Sequence, residues 1–233
     1  MTWRTVRATS LTKAAAAAGV VVIACTTGFL LARFPDLPDI LPVHFRRDGH
    51  ANGWQYKTYA RVLMPVFVQL ALAGTLGAVG ALLLSRPRGD DDQDTPDVRT
   101  AAAAAEAVAL IAVVWVVFQA YAAYALVELW QRGRDGLGPF YTVLEITGVV
   151  LSVVVFARAQ HRFGRPAPLP FVAEHWVLGQ LYRNRLDPAL FVPTRDGSRW
   201  TLNFGRPVAA ALMALVLGVG VVGPAIILGL LLR

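Results

Sequence analysis

Cysteine, charge and the usual catalytic signatures are all scarce in this chain of 233 residues. The single cysteine, Cys25, excludes a disulfide framework within the chain and a metal cage built from thiolates. Charged residues make up only 16% of the sequence, where a soluble domain has about 25%. The chain contains no G-x-S-x-G motif, no P-loop and no Rossmann fingerprint. We therefore predict that it is not an enzyme and that it carries no cofactor.

Apolar and basic residues, in contrast, are abundant. Hydrophobic residues make up 56% of the sequence, and the mean hydropathy is +0.51. Lys and Arg number 22 against 15 Asp and Glu, which gives a formal net charge of +7. Basic residues in so apolar a chain typically flank membrane spans. We expect the partner of this charge to be the anionic inner leaflet of a lipid bilayer rather than nucleic acid.

Five apolar stretches are long enough for transmembrane helices, since a spanning helix needs about 20 mostly apolar residues. They are residues 14–32, 62–85, 101–127, 140–157 and 207–232, and they contain two charges, Glu106 and Glu145. In lipid each helix satisfies its own backbone polar groups. The predicted fold class is an all-α integral membrane protein with five transmembrane helices and a small cytoplasmic α+β or hairpin element before the last helix. The first stretch contains Cys25 in a lipoprotein-like box, but its apolar run continues beyond that residue and favours an uncleaved helix.

The distribution of Lys and Arg predicts the orientation of the spans, because basic residues are retained on the cytoplasmic side. With a cytoplasmic N-terminus, the inner segments carry 14 Lys and Arg and the outer segments carry 8, which places the C-terminus outside. The predicted segments are a basic cytoplasmic N-terminus (1–13), helices 1 and 2 (14–85) with an ordered extracytoplasmic loop (35–60), an acidic cytoplasmic linker (86–100), helices 3 and 4 (101–157), a basic cytoplasmic juxtamembrane element (158–206) and helix 5 (207–233).

Loop 35–60 carries the first group of candidate site residues. Its prolines exclude a helix, and Asp48-Gly49 and Asn52-Gly53 are dipeptides typical of tight turns, so the loop is predicted to be ordered. The candidates for binding an external peptide or small ligand are His44, Asp48, Asn52, Trp54 and Lys57. Histidines and carboxylates of this loop could also bind a divalent ion, but they lack the spacing of a metal site. Hydrogen bonding within the loop is the competing interpretation.

The segment 158–206 carries the second group. It is basic, and Phe191 to Phe204 has the alternation of a hairpin with a two-residue turn at Asp196-Gly197. We expect it to pack on the inner membrane surface and to contact a cytoplasmic regulator. Its candidate residues are Trp176, Tyr182, Asn184, Asp187, Arg195, Trp200 and Asn203.

Two stretches resemble known families. The stretch from Leu37 to Lys57, LPDILPVHFRRDGHANGWQYK, resembles the extracytoplasmic loop of a bacterial domain of unknown function found in SdpI-type toxin-immunity membrane proteins, and the resemblance extends over residues 14–85. The stretch from Trp176 to Pro207 resembles a small juxtamembrane domain, also without assigned function, over residues 171–207. The resemblance implies a bacterial plasma-membrane protein of a sensor or immunity-like type. It implies no reaction and no catalytic residue.

A transporter, or an accessory subunit of a membrane transport complex, is the alternative function. It would require a polar path that joins Glu106, Gln119 and Glu145, because charged groups inside a membrane are costly and often functional. Glycine stripes in the second and fifth spans are typical of close helix packing and leave a homo-oligomer open.

Overall fold

The computed structural model describes residues 4–45, 51–85, 87–88, 95–133, 136–166 and 170–218. These residues belong to two compact units. Unit 1 consists of Met1–Ser10, Ala78–Val108 and Arg158–Arg233, and unit 2 consists of Leu11–Gly77 and Ala109–Ala157.

Helices account for most of the described residues. The α-helices are α1 (Ser10–Arg33), α2 (Tyr59–Val62), α3 (Met64–Leu84), α4 (Pro96–Arg132), α5 (Pro139–Arg162) and α6 (Pro207–Leu217). The strands are β1 (Arg4–Thr5), β2 (Ile40–Phe45), β3 (Ala51–Tyr56), β4 (Pro87–Arg88), β5 (Trp176–Val177), β6 (Leu181–Tyr182), β7 (Phe191–Pro193) and β8 (Trp200–Leu202). They pair as four two-stranded antiparallel sheets, β1 with β4, β2 with β3, β5 with β6 and β7 with β8.

Several helix ends follow from local sequence. Pro96, Pro139 and Pro207 each begin a helix, where the missing N–H costs nothing and the fixed φ suits the first turn. Gly133 follows α4 with φ +62°, a left-handed conformation that terminates helices and that glycine adopts without a Cβ penalty.

Four helical segments are long and apolar enough to cross a membrane: Ser10–Asp36, Met64–Leu84, Pro96–Arg132 and Pro139–Arg162. Only 6% of the apolar window of Pro139–Arg162 is buried, so its valine-rich surface requires lipid as its solvent. The chain is therefore a multi-pass membrane protein, and the first four predicted spans are confirmed as helices of this kind. The predicted fifth span is described only as α6, and residues 219–233 lie outside the described residues.

Unit 2 contains most of α1, α3, α4 and α5, together with α2 and the β2–β3 hairpin. Its core joins Leu30 of α1, Leu41 of the β2–β3 hairpin, Val66 of α3 and Val127 of α4, all buried. The described part of the hairpin is thus part of the packed unit.

Unit 1 contains the segment that we call the juxtamembrane element (residues 158–206). Leu190 in this element packs with Leu83 of α3, Ala105 of α4 and Leu212 of α6. The predicted hairpin between Phe191 and Phe204 is confirmed as β7–β8. Between α5 and α6, the described residues include a single turn of 3-10 helix, Ala173–His175, and no α-helix, so the element is built from β-hairpins rather than as an α+β fold.

Two local predictions differ from the structure. Asp196-Gly197 is not a two-residue turn, because the loop between β7 and β8 runs from Thr194 to Arg199 and is closed by a hydrogen bond from Thr194 N to Arg199 O of 2.8 Å. Residues 96–100, predicted as part of the acidic linker, form the start of α4, and Asp97 is buried there. The first difference arises from hydrogen bonds within the loop, and the second from the packing of the first turn of α4.

Candidate functional site

One face of the β2–β3 hairpin is packed against helices. Leu41 is completely buried in the core of unit 2, close to Val62 and Val127. Near the C-terminal end of α4, the indole nitrogen of Trp130 donates a hydrogen bond of 3.0 Å to the carbonyl oxygen of Pro42. These contacts give the hairpin a fixed position on the helix ends.

The opposite face of the hairpin is apolar and exposed. Ile40 pairs with Tyr56 and Pro42 pairs with Trp54, and directly opposed residues share a face. Ile40, Trp54 and Tyr56 are 53%, 59% and 74% exposed. We call these three side chains the exposed hairpin face. Aromatic rings of this kind are typical both of binding surfaces and of membrane–water interfaces.

Two other candidates, His44 and Asn52, lie near the distal end of the hairpin. His44 pairs with Gly53 at a register shift, and a Cβ on Gly53 would lie 2.9 Å from His44 Cδ2 and 3.0 Å from His44 Cβ. The predicted turn at Asn52-Gly53 is wrong, because both residues belong to β3. Asn52 is exposed and, by strand alternation, shares the face of Trp54. Asp48 lies outside the described residues.

Lys57 closes the base of the hairpin. Its ammonium group donates a hydrogen bond of 2.7 Å to the carbonyl oxygen of Leu37 and lies 3.8 Å from Asp39 Oδ1. It also lies 5.2 Å from the centroid of the Phe34 ring, which stacks on Tyr59 at 4.0 Å. The Lys57 ammonium group therefore interacts with other groups of the protein, whereas the Trp54 side chain is exposed.

In the juxtamembrane element, four of the candidate residues form one hydrogen-bonded cluster around Asn203. The Asn203 side chain is completely buried. Its Nδ2 donates to the carbonyl oxygens of Asn184, Asp187 and Ala189 at 2.9–3.2 Å. Its Oδ1 accepts from the backbone N–H groups of Asn184 and Gly205 at 3.0 and 2.9 Å. The Asn203 amide thereby supplies hydrogen-bond partners to backbone groups that the short strands leave unpaired.

Tyr182 and Asp187 extend this cluster. The Tyr182 hydroxyl donates to Asp187 Oδ2 at 3.0 Å, and Asp187 Oδ1 accepts from Ala189 N at 2.9 Å. Burial of the phenol, together with the neighbouring Asp187 carboxylate, raises the pKa of Tyr182. Both residues hold the element's own fold.

Two further hydrogen bonds connect the β-hairpins of the element, one to the segment that follows α5 and one to α4. Trp200 Nε1 donates to the carbonyl oxygen of Gly164 at 2.7 Å. Asp97 Oδ1, in the first turn of α4, accepts from Phe191 N at 2.7 Å. Composition gave no signal for Asp97, because it follows four other aspartates in a stretch that is typical of a solvated linker.

The two remaining candidates, Trp176 and Arg195, line an open cleft of about 880 Å³ in the same element. The other lining residues are Phe171, Gly179, Gln180, Thr194, Asp196, Ser198 and Arg199. The Arg195 guanidinium lies 4.5 Å from the Phe171 ring centroid, and its Nη1 donates to Gly179 O at 3.1 Å. Hydrogen bonds from the hydroxyls of Ser198 and Thr194 lower the pKa of Asp196 to about 2.

Two buried polar side chains of the helices, Gln69 and Glu106, are hydrogen-bonded to other segments. Gln69 is completely buried, and its Nε2 donates to Thr26 Oγ1 at 3.1 Å and to Val116 O at 2.9 Å. Glu106 is also buried, accepts a hydrogen bond of 2.6 Å from Thr9 Oγ1 and is ion-paired with Arg162. Intramembrane polar contacts of this kind commonly hold helices together.

The hairpin lies in a stretch of the chain that matches a known family model. Residues 21–68 match the family model DUF1648. DUF1648 is a domain of unknown function, and the matched stretch runs from within α1 through the hairpin and α2 into the start of α3. No curated protein and no solved structure matches the chain. The resemblance of this stretch to a domain of unknown function is confirmed, while the link to toxin immunity and the resemblance of Trp176 to Pro207 stay predictions.

The structure thus divides the sequence-predicted residues by environment. His44, Asn52 and Trp54 are exposed on the hairpin, whereas Lys57 is engaged at its base. Tyr182, Asn184, Asp187 and Asn203 form one internal cluster, Trp200 contacts Gly164, and Trp176 and Arg195 line the cleft. The exposed residues Ile40 and Tyr56 were not among the candidates; strand alternation around Trp54 was the signal that could have identified them.

Proposed function

We propose that the DUF1648 hairpin recognises an extracytoplasmic peptide or small ligand, as part of a bacterial plasma-membrane protein of a sensor or immunity-like type. The observation that carries this proposal is the asymmetry of the hairpin. One face is held by Leu41 and by the hydrogen bond from Trp130, and the other presents Ile40, Trp54 and Tyr56. A rigid support with exposed aromatic anchors costs little entropy on binding.

The proposed orientation has a cytoplasmic N-terminus; it rests on the Lys and Arg distribution, and contacts within unit 1 are compatible with it. Thr9, before α1, donates a hydrogen bond to Glu106 of α4, and Glu106 is ion-paired with Arg162 at the end of α5. Thr9 and Arg162 belong to segments that the Lys and Arg distribution assigns to the cytoplasmic side, and Glu106 lies near the cytoplasmic end of the third predicted span. The juxtamembrane element then faces the anionic inner leaflet and is available to a cytoplasmic regulator.

Site-specific photo-crosslinking tests recognition by the hairpin. A photoreactive amino acid at Trp54 or Tyr56 of the full chain in its native membrane should yield an adduct with a ligand. The matched control is Ala60, which is also exposed but lies on α2 outside the exposed hairpin face. The proposal fails if Trp54 and Tyr56 give no adduct, or only the adducts that Ala60 gives.

Affinity purification of the full chain from membranes tests the relay to a cytoplasmic regulator. The wild type should retain a specific partner that the Trp176→Ala variant loses, because Trp176 lines the open cleft. Since the Trp176 ring also packs against Tyr182 at 5.3 Å, unchanged limited proteolysis of the element in the variant is the control. Recovery of no specific partner would contradict the relay while leaving recognition by the hairpin intact.

The alternative function, transport, gains no specific support. Glu106 and Gln119 are 13 residues apart on α4, which corresponds to about 20 Å along a helix axis. Glu145 is exposed on α5. A polar path through these three residues therefore stays without a structural basis.

A further inference from the structure

The cleft in the juxtamembrane element has the composition of an anion site with an aromatic wall. It has two guanidinium groups, Arg195 and Arg199, and the rings of Trp176 and Phe171. Its volume of about 880 Å³ falls within the range of small-molecule sites, which is about 300–1,000 Å³. Among the described residues neither guanidinium has an ion-pair partner, so their charge is available in the cleft.

Arg195 is held in place without being neutralised. Its guanidinium lies over Phe171 and gives one hydrogen bond to the carbonyl oxygen of Gly179. A guanidinium carries five N–H donors, so most of them are left for a ligand. Because the stacking and the hydrogen bond already restrict the side chain, a planar anion would bind with a smaller loss of side-chain entropy.

The one carboxylate that lines the cleft, that of Asp196, accepts hydrogen bonds from residues of its own loop. Asp196 Oδ1 accepts from Thr194 Oγ1 and Asp196 Oδ2 accepts from Ser198 Oγ, both at 2.5 Å. Its charge thus orders the loop between β7 and β8, which carries both arginines. The lining retains one net positive charge, and the whole element contains eight arginines against three acidic residues.

The rim of the cleft contains a strained backbone position. Leu178 has φ +52° and is 90% exposed, and Gly179 follows it with φ +71°. A bulky residue rarely adopts this region, and such strain is often found at functional sites. The turn is closed by Gln180 N donating to Val177 O at 3.2 Å, and it contains the Gly179 carbonyl that accepts from Arg195.

We propose that this cleft binds a phosphate ester, with the phosphate between Arg195 and Arg199 and the organic group against Trp176 and Phe171. Paired guanidinium groups match phosphate oxygens with charge-assisted hydrogen bonds. The ester is either a soluble molecule or the headgroup of an anionic phospholipid, since both present the same chemistry. The inference is independent of whether the hairpin binds an external ligand.

The test uses the full chain in detergent micelles and two probes. Phenyl phosphate, titrated calorimetrically in lipid-free micelles, represents a soluble ester. Phosphatidylglycerol represents the headgroup of an anionic phospholipid, and native mass spectrometry measures the fraction of protein that retains it. The two cleft variants are Arg199→Gln, which removes a charge, and Arg195→Lys, which keeps the charge but lacks the planar guanidinium group. Arg185→Gln is the control, because Arg185 is exposed on the same element and does not line the cleft.

We expect at least one of the two probes to bind the wild type and the Arg185→Gln variant with equal affinity. Both cleft variants should weaken that binding at least about tenfold, as expected for the loss of one charge-assisted hydrogen bond. Arginine-dependent binding of phenyl phosphate alone identifies a soluble ester, and retention of phosphatidylglycerol alone identifies a lipid headgroup. The proposal is overturned if neither probe binds, or if Arg185→Gln weakens binding as much as the cleft variants do.

Discussion

At the scale of single residues, buried polar side chains carry most of the specificity in the juxtamembrane element. Its strands are two or three residues long, so they pair few backbone groups with one another. Asn203 compensates by satisfying two N–H groups and three carbonyl oxygens. An amide that replaces this much backbone pairing is costly to remove, because each buried group left unpaired keeps its desolvation penalty.

Asn203→Ala should therefore destabilise the element by roughly 2–4 kcal/mol, since several buried groups lose their partner at once. Limited proteolysis of the detergent-solubilised chain should show earlier cleavage between residues 170 and 206. Asn52→Ala, an exposed position on the hairpin, is the control and should leave this cleavage unchanged. Equal protection of the wild type and the Asn203→Ala variant would contradict the role assigned to the amide.

The raised pKa of Tyr182 predicts how the stability of the juxtamembrane element changes at alkaline pH. Its pKa is raised above the usual value of 10.0 in the folded protein, so the folded state favours the neutral phenol. The resulting stabilisation is fully present below pH 10 and is lost as the pH rises through the folded pKa, above that value. Protease resistance of the element should fall in this range, and Tyr182→Phe should abolish that pH-dependent component. A Tyr182→Phe variant with the wild-type alkaline profile would contradict this assignment.

At the scale of elements, the β2–β3 hairpin shows how packing overrides a local turn signal. Asn-Gly is a strong hairpin-turn dipeptide, yet Asn52 and Gly53 lie within β3. Burial of Leu41 against the helices determines which face of the ribbon points inward, and the register follows from that burial. Gly53 is needed there for another reason, because the His44 side chain lies directly across the strand pair.

Gly53→Ala should destabilise the hairpin by about 1–3 kcal/mol, the usual cost of overpacking, because the new Cβ would lie 2.9 Å from His44 Cδ2. Gly74→Ala is the matched control, since a Cβ at Gly74 in α3 meets nothing within 4 Å. Hydrogen exchange at the hairpin amides measures the effect. Combining Gly53→Ala with His44→Gly should restore protection, and failure to do so would exclude the His44 contact as the cause.

At the scale of the whole molecule, the arrangement of the helices in the membrane decides which compartment each candidate site faces. Four helices are long and apolar enough to span, and the exposed valine-rich surface of α5 requires lipid. The hairpin and the juxtamembrane element can serve recognition outside and relay inside only if they face opposite compartments. The proposed function therefore depends on the orientation inferred from the Lys and Arg distribution.

Cysteine labelling of intact cells tests this orientation directly. In a Cys25→Ala background, a membrane-impermeant maleimide should label the Asn52→Cys variant in intact cells. It should label the Arg185→Cys variant only after lysis. Both positions are exposed, so accessibility on the protein does not limit either reaction. Labelling of Arg185→Cys in intact cells would reverse the orientation and remove the basis for a cytoplasmic relay.

Hydropathy along the chain was sufficient to predict the membrane environment, four of the spans and the β7–β8 hairpin, because these depend on the length and periodicity of apolar runs. It could not predict that Asp97 accepts from Phe191 N, or that Lys57 bonds to Leu37 and lies close to Asp39. Nor could it predict that Tyr182, Asn184 and Asp187 form a cluster with Asn203. Those contacts join residues as much as 94 positions apart. They depend on the geometry of packed helices and strands, which no local pattern encodes.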